Sequence, residues 1–347
     1  MCEMSNDRLI DLRSDTVTKP DAAMREAMAT AEVGDDVLDG DPTMRALEER
    51  AAQVLGMEAA LWVPSGCMGN TIATALHLQR GDRFLAPRAA HVLDNELGAV
   101  AWLAGGMPEP LAWDAGPGRP SPAAVTAAAG TSGPYYRLRT RLLCLENTHN
   151  AAGGAVTPPE EYALLVAAAK EAGLKVHLDG ARIWNAAAAL AVKPAELTAG
   201  ADSVQACLSK GLGAPVGSLL AGSRELIEEA RRLRKMLGGG VRQGGVLAAA
   251  GMVALDRMDR LAEDHAAAEQ LAAGLTDLGF TVRAPQTNIV LAQVPDLPFV
   301  LARLRASHVL VSSMDGCARF VTHREVSSAD ITEALGRIAV SGCAPSS

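Results

Sequence analysis

The chain has 347 residues, 49% of them hydrophobic and 21% charged, the balance of an ordinary soluble globular protein with enough length for about two domains around a large core. Lys and Arg number 32 against 40 Asp and Glu, and the net charge of -8 leaves no dense basic face, which argues against a nucleic-acid partner. The first residues lack an apolar core of signal-peptide length and no apolar stretch is long enough to span a bilayer, so a cytoplasmic protein without a membrane partner is expected.

Residues 9–18 read as an extended arm. Pro20 suits a first helical turn, and strong helix formers predict a helix over 22–31. A second helix takes Asp41 as N-cap and Pro42 as its first residue, carries Met44, Leu47, Ala51 and Leu55 on one face, and stops at Gly56. From about residue 59 strands and helices alternate. The strands are expected over 60–63, 83–86, 141–146 and 174–178, and the helices over 68–78, 93–103 and 158–172. The Gly-, Pro-, Ser- and Ala-rich segment 114–137 reads as a connection holding a short helix at 122–129, and the Tyr and Arg cluster that follows carries no function. Next comes the apolar run 203–207, which ends in Ser209 and Lys210 before breaking into Gly211, Gly213 and Gly217.

After Gly222 a helix over 225–237 presents Arg231, Arg232, Arg234 and Lys235 beside acidic residues, mostly a solvated face. A long helical tract over 244–275 bridges to strands near 281, 287–292, 308–311 and 318–322, with helices near 299–305 and 328–338. The pattern predicts an α/β protein with right-handed crossovers. Residues 1–30 form an arm and helix, 31–255 a large domain with a mostly parallel sheet flanked by helices, and 256–347 a smaller α/β domain. The six cysteines (Cys2, Cys67, Cys144, Cys207, Cys317, Cys343) are scattered, with no spacing that reads as a metal site; Cys144 and Cys207 read as small core residues.

The chemistry concentrates at two strand ends. A lysine closing a buried strand loses solvation, which favours the free, nucleophilic amine. Taken alone, Lys210 could simply snorkel to solvent. The run 174–178, however, delivers Asp179, then Gly180 and Arg182, and neighbouring parallel strands would bring Asp179 and Lys210 to one edge. A carboxylate for a protonated ring nitrogen and a lysine for a Schiff base are what hold pyridoxal phosphate as an electron sink.

Seven blocks extend this pattern from about residue 10 to about residue 325: Arg13-Ser-Asp-Thr-Val-Thr18, Val63-Pro-Ser-Gly-Cys-Met-Gly-Asn70, Glu146-Asn-Thr-His-Asn150, Asp179-Gly-Ala-Arg182, Ser209-Lys-Gly-Leu-Gly-Ala-Pro-Val-Gly217, Gly238-Gly-Gly-Val-Arg-Gln243 and Arg319-Phe-Val-Thr-His323. In these the chain resembles the low-specificity L-threonine aldolases, pyridoxal-phosphate enzymes of fold type I in the aspartate-aminotransferase superfamily. The resemblance implies Lys210 as the Schiff-base lysine, Asp179 on the ring nitrogen, His91 stacked on the ring, and the phosphate at Gly66 and Cys67, where the family usually has threonine in place of the cysteine. It also implies Arg182 beside the cofactor's phenolic oxygen, and Ser14, Arg182 and Arg319 on the substrate carboxylate. Lys235 and Arg242 would reach a partner subunit's active site in a homodimer that assembles further to a homotetramer.

The implied reaction is reversible retro-aldol cleavage of L-threonine, L-allo-threonine and other β-hydroxy-α-amino acids to glycine and an aldehyde. His91, His149 and a water near the phosphate are the alternatives for the base that takes the β-hydroxyl proton. The nearest rival is a β-eliminating lyase of the same fold. A nucleotide-binding oxidoreductase is more distant, because Gly211, Gly213 and Gly217 are spaced wrongly for a dinucleotide fingerprint.

Overall fold

A run whose residues are all buried, such as Ser203–Cys207, needs cover on both faces of its sheet. The computed structural model, which describes residues 8–130 and 134–343, supplies that cover. Cys2 lies outside the described residues.

The arm contributes β1 (Ile10–Asp11) and leads into α1 (Ala22–Ala29) and α2 (Pro42–Leu55). Asp41 caps α2 by accepting from the Met44 N–H, and Gly56 ends it in the left-handed conformation, both as expected from the sequence. The main sheet comprises β2 (Ala59–Val63), β3 (Arg83–Pro87), β4 (Met107–Leu111), β5 (Thr140–Glu146), β6 (Lys175–Asp179), β7 (Ser203–Cys207) and β8 (Ser218–Gly222), in the order β2-β8-β7-β6-β5-β3-β4. Only β8 runs against the others, so the carboxyl ends of the remaining six strands share one edge.

Alternation sorts the side chains between the two faces. Leu143, Leu145, Val176, Leu178, Val204 and Ala206 join the larger core beneath α2 and the helices α5 (Pro122–Ala129), α6 (Pro159–Glu171) and α7 (Ile183–Leu190). The opposite face carries Leu61, Val63 and Leu220 against α3 (Gly66–His77) and α9 (Arg224–Met236). His177 and Asp179 alternate with Val176 and Leu178 on β6 and therefore face α3.

Several expectations change, the unexpected strand β8 among them. The helix expected over 93–103 is split into α4 (His91–Asp94) and a π-helical turn at Val100–Ala104, because the chain turns at Leu97 and Gly98, with φ of 53° and 72°, and so carries Glu96 inward. Strand β4 was not expected, since Pro108 and Pro110 argue against a strand; it lies at the sheet edge, where missing N–H donors do no harm. The tract 244–275 divides into α10 (Gly245–Leu255) and α11 (Leu261–Asp277) around a 3-10 turn, with Arg257 swung out to pair with Asp21. On α9, Arg234 is buried rather than solvated and binds Asp36 at 2.6 Å and the Trp62 carbonyl at 2.9 Å.

A second core forms around a four-stranded antiparallel sheet, where β12 (Ser312–Met314), β13 (Cys317–Val321), β10 (Ile289–Gln293) and β9 (Thr281–Val282) lie in that order. The arm belongs to it. Ile10 and Leu12 are buried in this core, and β1 pairs in parallel with β11 (Val309–Leu310).

On α11, Asp264 is buried, its Oδ2 has no hydrogen-bond partner among the described residues, and Arg260 stands 3.7 Å from Oδ1. Burial pushes its carboxyl up to about 7. The folded state therefore binds this proton more tightly than the unfolded chain, whose carboxyl titrates near 4. The sign follows: stability falls as pH rises through that interval, and the whole penalty is present above it. Asp264→Asn is expected to raise Tm by several degrees at pH 8 and to leave it nearly unchanged at pH 4, read from thermal melts at both pH values.

Candidate active site

Around the shared carboxyl edge, the segments that follow β2, β3, β6 and β7 close on a cavity of about 250 Å³. Ser65 caps α3 by accepting from the Met68 N–H at 3.2 Å. The N–H groups of Gly66 and Cys67 are left at the positive end of a 12-residue helix, where an anion is favoured. A side chain at residue 66 would come within 3.0 Å of Cys207 Sγ, so the tight approach requires glycine. Burial, and then the charges of Glu96 and Asp179, push the Cys67 thiol up to about 11. It stays protonated and offers a weak S–H donor where the resemblance implies a hydroxyl.

His91 follows β3 and lines the cavity, its backbone N–H bound to Glu146 at 2.7 Å and its Nδ1 to Glu96 at 2.8 Å. Burial pulls the imidazole down, but the Glu96 hydrogen bond and the charges of Asp179 and Glu146 outweigh it and raise its pKa. Burial and the charge of Asp179 raise Glu96 as well. Asp179, at the end of β6, accepts three hydrogen bonds: from Asn70 Nδ2 at 2.8 Å, the Ala181 N–H at 3.0 Å and the Gln205 amide nitrogen at 2.9 Å. Lys210 leaves β7 into the same cavity. Its carbonyl accepts from Thr18 Oγ1 at 3.0 Å and the Gly213 N–H at 2.8 Å, which ties the lysine loop to the arm.

Nearby, the Arg182 guanidinium forks onto Asp15 at 2.7 and 2.8 Å, while its Nη1 lies 3.4 Å from Asn150 Oδ1. Burial alone would raise Asp15, but the Arg182 and Lys210 charges hold it well below the usual carboxylate range. Arg319 Nη2 reaches that same Asn150 oxygen at 2.8 Å, its Nη1 holds the Arg13 carbonyl at 3.1 Å, and its buried Nε has no partner among the described residues. Burial and the neighbouring Arg182 charge lower Arg319 to about 10. Two guanidiniums thus converge on one neutral amide oxygen, and a carboxylate would satisfy both better. Beside them, Ser14 Oγ accepts from the Thr16 N–H and hydroxyl, leaving its own proton to donate.

Like Ser14, Arg182 and Arg319, three other expected residues do not line the cavity. His149 is buried, its ring edge-on to Trp113 at 5.1 Å and both nitrogens unpartnered among the described residues. Lys235 and Arg242 lie outside the cavity of this chain, and Arg242 pairs with Asp35 at 2.9 Å. Conversely, Asn70, Glu96, Asn150 and Asp15 join the site although their residue types alone did not mark them. One signal was available for Asn70, which sits one helical turn beyond Gly66 and so shares its face.

The donor set suits pyridoxal phosphate: free N–H groups at a helix start for the phosphate, a carboxylate ringed by donors for a ring N–H, an imidazole on the cavity wall and a primary amine. Cys67, His91 and Glu96 bring potential metal-ligand atoms within 4.8 Å of one another, but they form part of this same wall, with His91 and Glu96 already satisfying each other.

A family model described as β-eliminating lyase matches residues 11–296. The chain is 42% identical to low-specificity L-threonine aldolase 1 of Arabidopsis thaliana, over 93% of its own length and 94% of the relative's. It is also 42% identical to the low specificity L-threonine aldolase of Escherichia coli K12, over 94% and 97%. Among solved structures, a Leishmania major threonine aldolase superposes with a TM-score of 0.81 at 20% identity, covering 94% of this chain and 98% of that one. Serine palmitoyltransferase of Sphingomonas wittichii superposes at 0.76 and 20% identity, over 96% and 87%.

Proposed function

This chain belongs to the β-eliminating lyase family, in its low-specificity L-threonine aldolase branch, and from that premise we propose that it cleaves L-threonine, L-allo-threonine and other β-hydroxy-α-amino acids to glycine and an aldehyde. It does so with pyridoxal phosphate on a fold type I scaffold. The observation that carries the reading is the pair of guanidiniums, Arg182 and Arg319, meeting at Asn150 beside the Asp179 and Lys210 cavity.

Gly66 and Cys67 would hold the phosphate, Asp179 the ring nitrogen, His91 the ring face and Lys210 the reactive carbon. The cofactor, when bound, supplies the electron sink for charge left at Cα. Arg319 and Arg182, with the Ser14 hydroxyl, fix the substrate carboxylate. That orientation decides which bond at Cα is weakened. We assign the β-hydroxyl proton to His91: Glu96 takes the Nδ1–H, so the Nε2 lone pair is free to accept. His149, edge-on to Trp113 and not lining the cavity, is the second candidate.

We further propose a cytoplasmic homodimer that pairs to a homotetramer, with Lys235 and Arg242 serving the neighbouring subunit's cavity. All five described cysteines are free thiols, as in a reducing compartment.

The test is the purified protein with added cofactor and L-threonine. Equimolar glycine and acetaldehyde are expected, and pyruvate with ammonia would make β-elimination the reaction instead. Arg319→Leu is expected to cut kcat/KM by about 100-fold or more while the visible absorption of the bound cofactor is kept, since a lost charge-assisted fork is worth a few kcal/mol.

A further inference from the structure

Under α3 a line of polar side chains leaves the cavity and crosses the sheet. Asn70 Nδ2 spans two carboxylates, Asp179 Oδ2 at 2.8 Å and Glu96 Oε1 at 2.7 Å. Behind it, Asn70 Oδ1 meets His177 Nε2 at 3.0 Å, His177 Nδ1 meets Ser203 Oγ at 2.8 Å, and Ser203 Oγ meets His77 Nε2 at 2.8 Å. Asn70, His177 and Ser203 are buried, and His77 closes the far end half-buried.

The direction of every bond in this line is determined. Both Asn70 amide protons go to carboxylate oxygens, so its Oδ1 accepts and His177 Nε2 must carry a hydrogen. Burial lowers His177 and His77 to about 4, so each is a neutral ring with one donor and one acceptor. His177 Nδ1 therefore accepts from the Ser203 hydroxyl, whose oxygen accepts from His77 Nε2–H. Any reversal would set two donors or two lone pairs against each other among buried groups.

We propose that this seam is a positioning device for the proposed reaction: His177, Ser203 and His77 lock the Asn70 amide, which clamps Asp179 and Glu96 side by side and keeps one Asp179 Oδ2 lone pair directed at the cofactor's ring nitrogen. The inference rests on the aldolase reading. The clamp is needed because the two carboxylates repel. Asn70 places a proton on each, and a free amide rotor would withdraw both at once. Were the seam only filler, apolar residues like Ile72 and Ala73 on the same helix would serve without the desolvation of four polar groups.

The test uses the holoenzyme loaded with cofactor carrying 15N in the ring. In His177→Phe the ring-nitrogen resonance is expected to move toward that of unprotonated pyridine, kcat to fall by about tenfold or more, and KM for L-threonine to stay close to wild type. His177→Gln, which again offers one donor and one acceptor, is expected to restore most of both. A wild-type resonance and kcat in His177→Phe would overturn the proposal. If that variant does not fold, Ser203→Ala breaks the line at its middle, and the same two readouts decide, shifted in support or unchanged against. A wild-type protein that takes up no cofactor or releases no aldehyde would remove the aldolase reading itself, whereas an active wild type with unaffected variants would remove the seam alone.

Discussion

Lys210→Ala is expected to abolish the visible absorption of the covalently held cofactor and to lower kcat by about four orders of magnitude, a loss of ~5.5 kcal/mol of transition-state stabilisation. The side chain lines the cavity, and among the described residues its Nζ has no hydrogen-bond partner, so it is free for attachment. The fold is expected to survive. What pins this loop is the Lys210 carbonyl, bound by Thr18 and Gly213, and alanine keeps it. Asp15 loses one positive neighbour but retains the Arg182 fork. Spectra after reconstitution, cofactor retention through gel filtration and acetaldehyde release make the measurement. A yellow protein resistant to dialysis with wild-type turnover would place the attachment at another amine.

Asp179→Asn ranks second, with an expected drop of about a thousandfold in kcat/KM, or ~4 kcal/mol. The replacement is nearly isosteric, so packing on β6 is little disturbed and the effect isolates charge and hydrogen bonding. Oδ1 serves the Ala181 N–H and the Gln205 amide, and Oδ2 serves Asn70. An amide has one oxygen to offer, and wherever its NH2 turns it meets a donor. The new group would either disturb Asn70 or lose the Ala181 and Gln205 bonds, and in neither case would a ring N–H find a negative partner. Cofactor affinity by fluorescence titration and steady-state kinetics would separate weaker binding from slower chemistry. Unchanged kinetics would detach Asp179 from the ring nitrogen.

The parts of this fold legible in the sequence are those written in local signals. Asp41, Pro42 and Gly56 mark both ends of α2, and the run at 203–207, without a charged residue, announced a buried strand. The misses had nonlocal causes. Nothing near Pro108 says that its strand lies at an edge, and β8 was hidden by the glycine loop before it. The turn at Leu97 exists because Glu96 is drawn to His91 and Asn70, which only the assembled sheet places in reach. At the site, Lys210 and Asp179, from their strand-end contexts, and His91, from the family resemblance, could be named in advance and line one cavity. Asn150 and Glu96 could not, because an amide or acid becomes significant only through what it bridges, and Asn70 was marked only by its place one helical turn beyond Gly66. Arg182 shows the reverse limit, since its fork is largely taken by Asp15, a partner 167 positions earlier that no spacing rule connects to it.

The pairing of β1 with β11 sets a timetable for biosynthesis. Ile10 and Asp11 leave the ribosome about 300 residues before their strand partners, Val309 and Leu310. At about 5–20 residues per second, the arm waits many seconds with its apolar Ile10 and Leu12 uncovered while the main sheet assembles behind it. Asp15 and Thr18 ride on that arm, so the contacts to Arg182 and to the Lys210 loop cannot be secured until the second core exists to hold the strand. The nascent chain thus has its sheet edge long before it has a finished candidate site, which would make cofactor attachment a late event in its maturation.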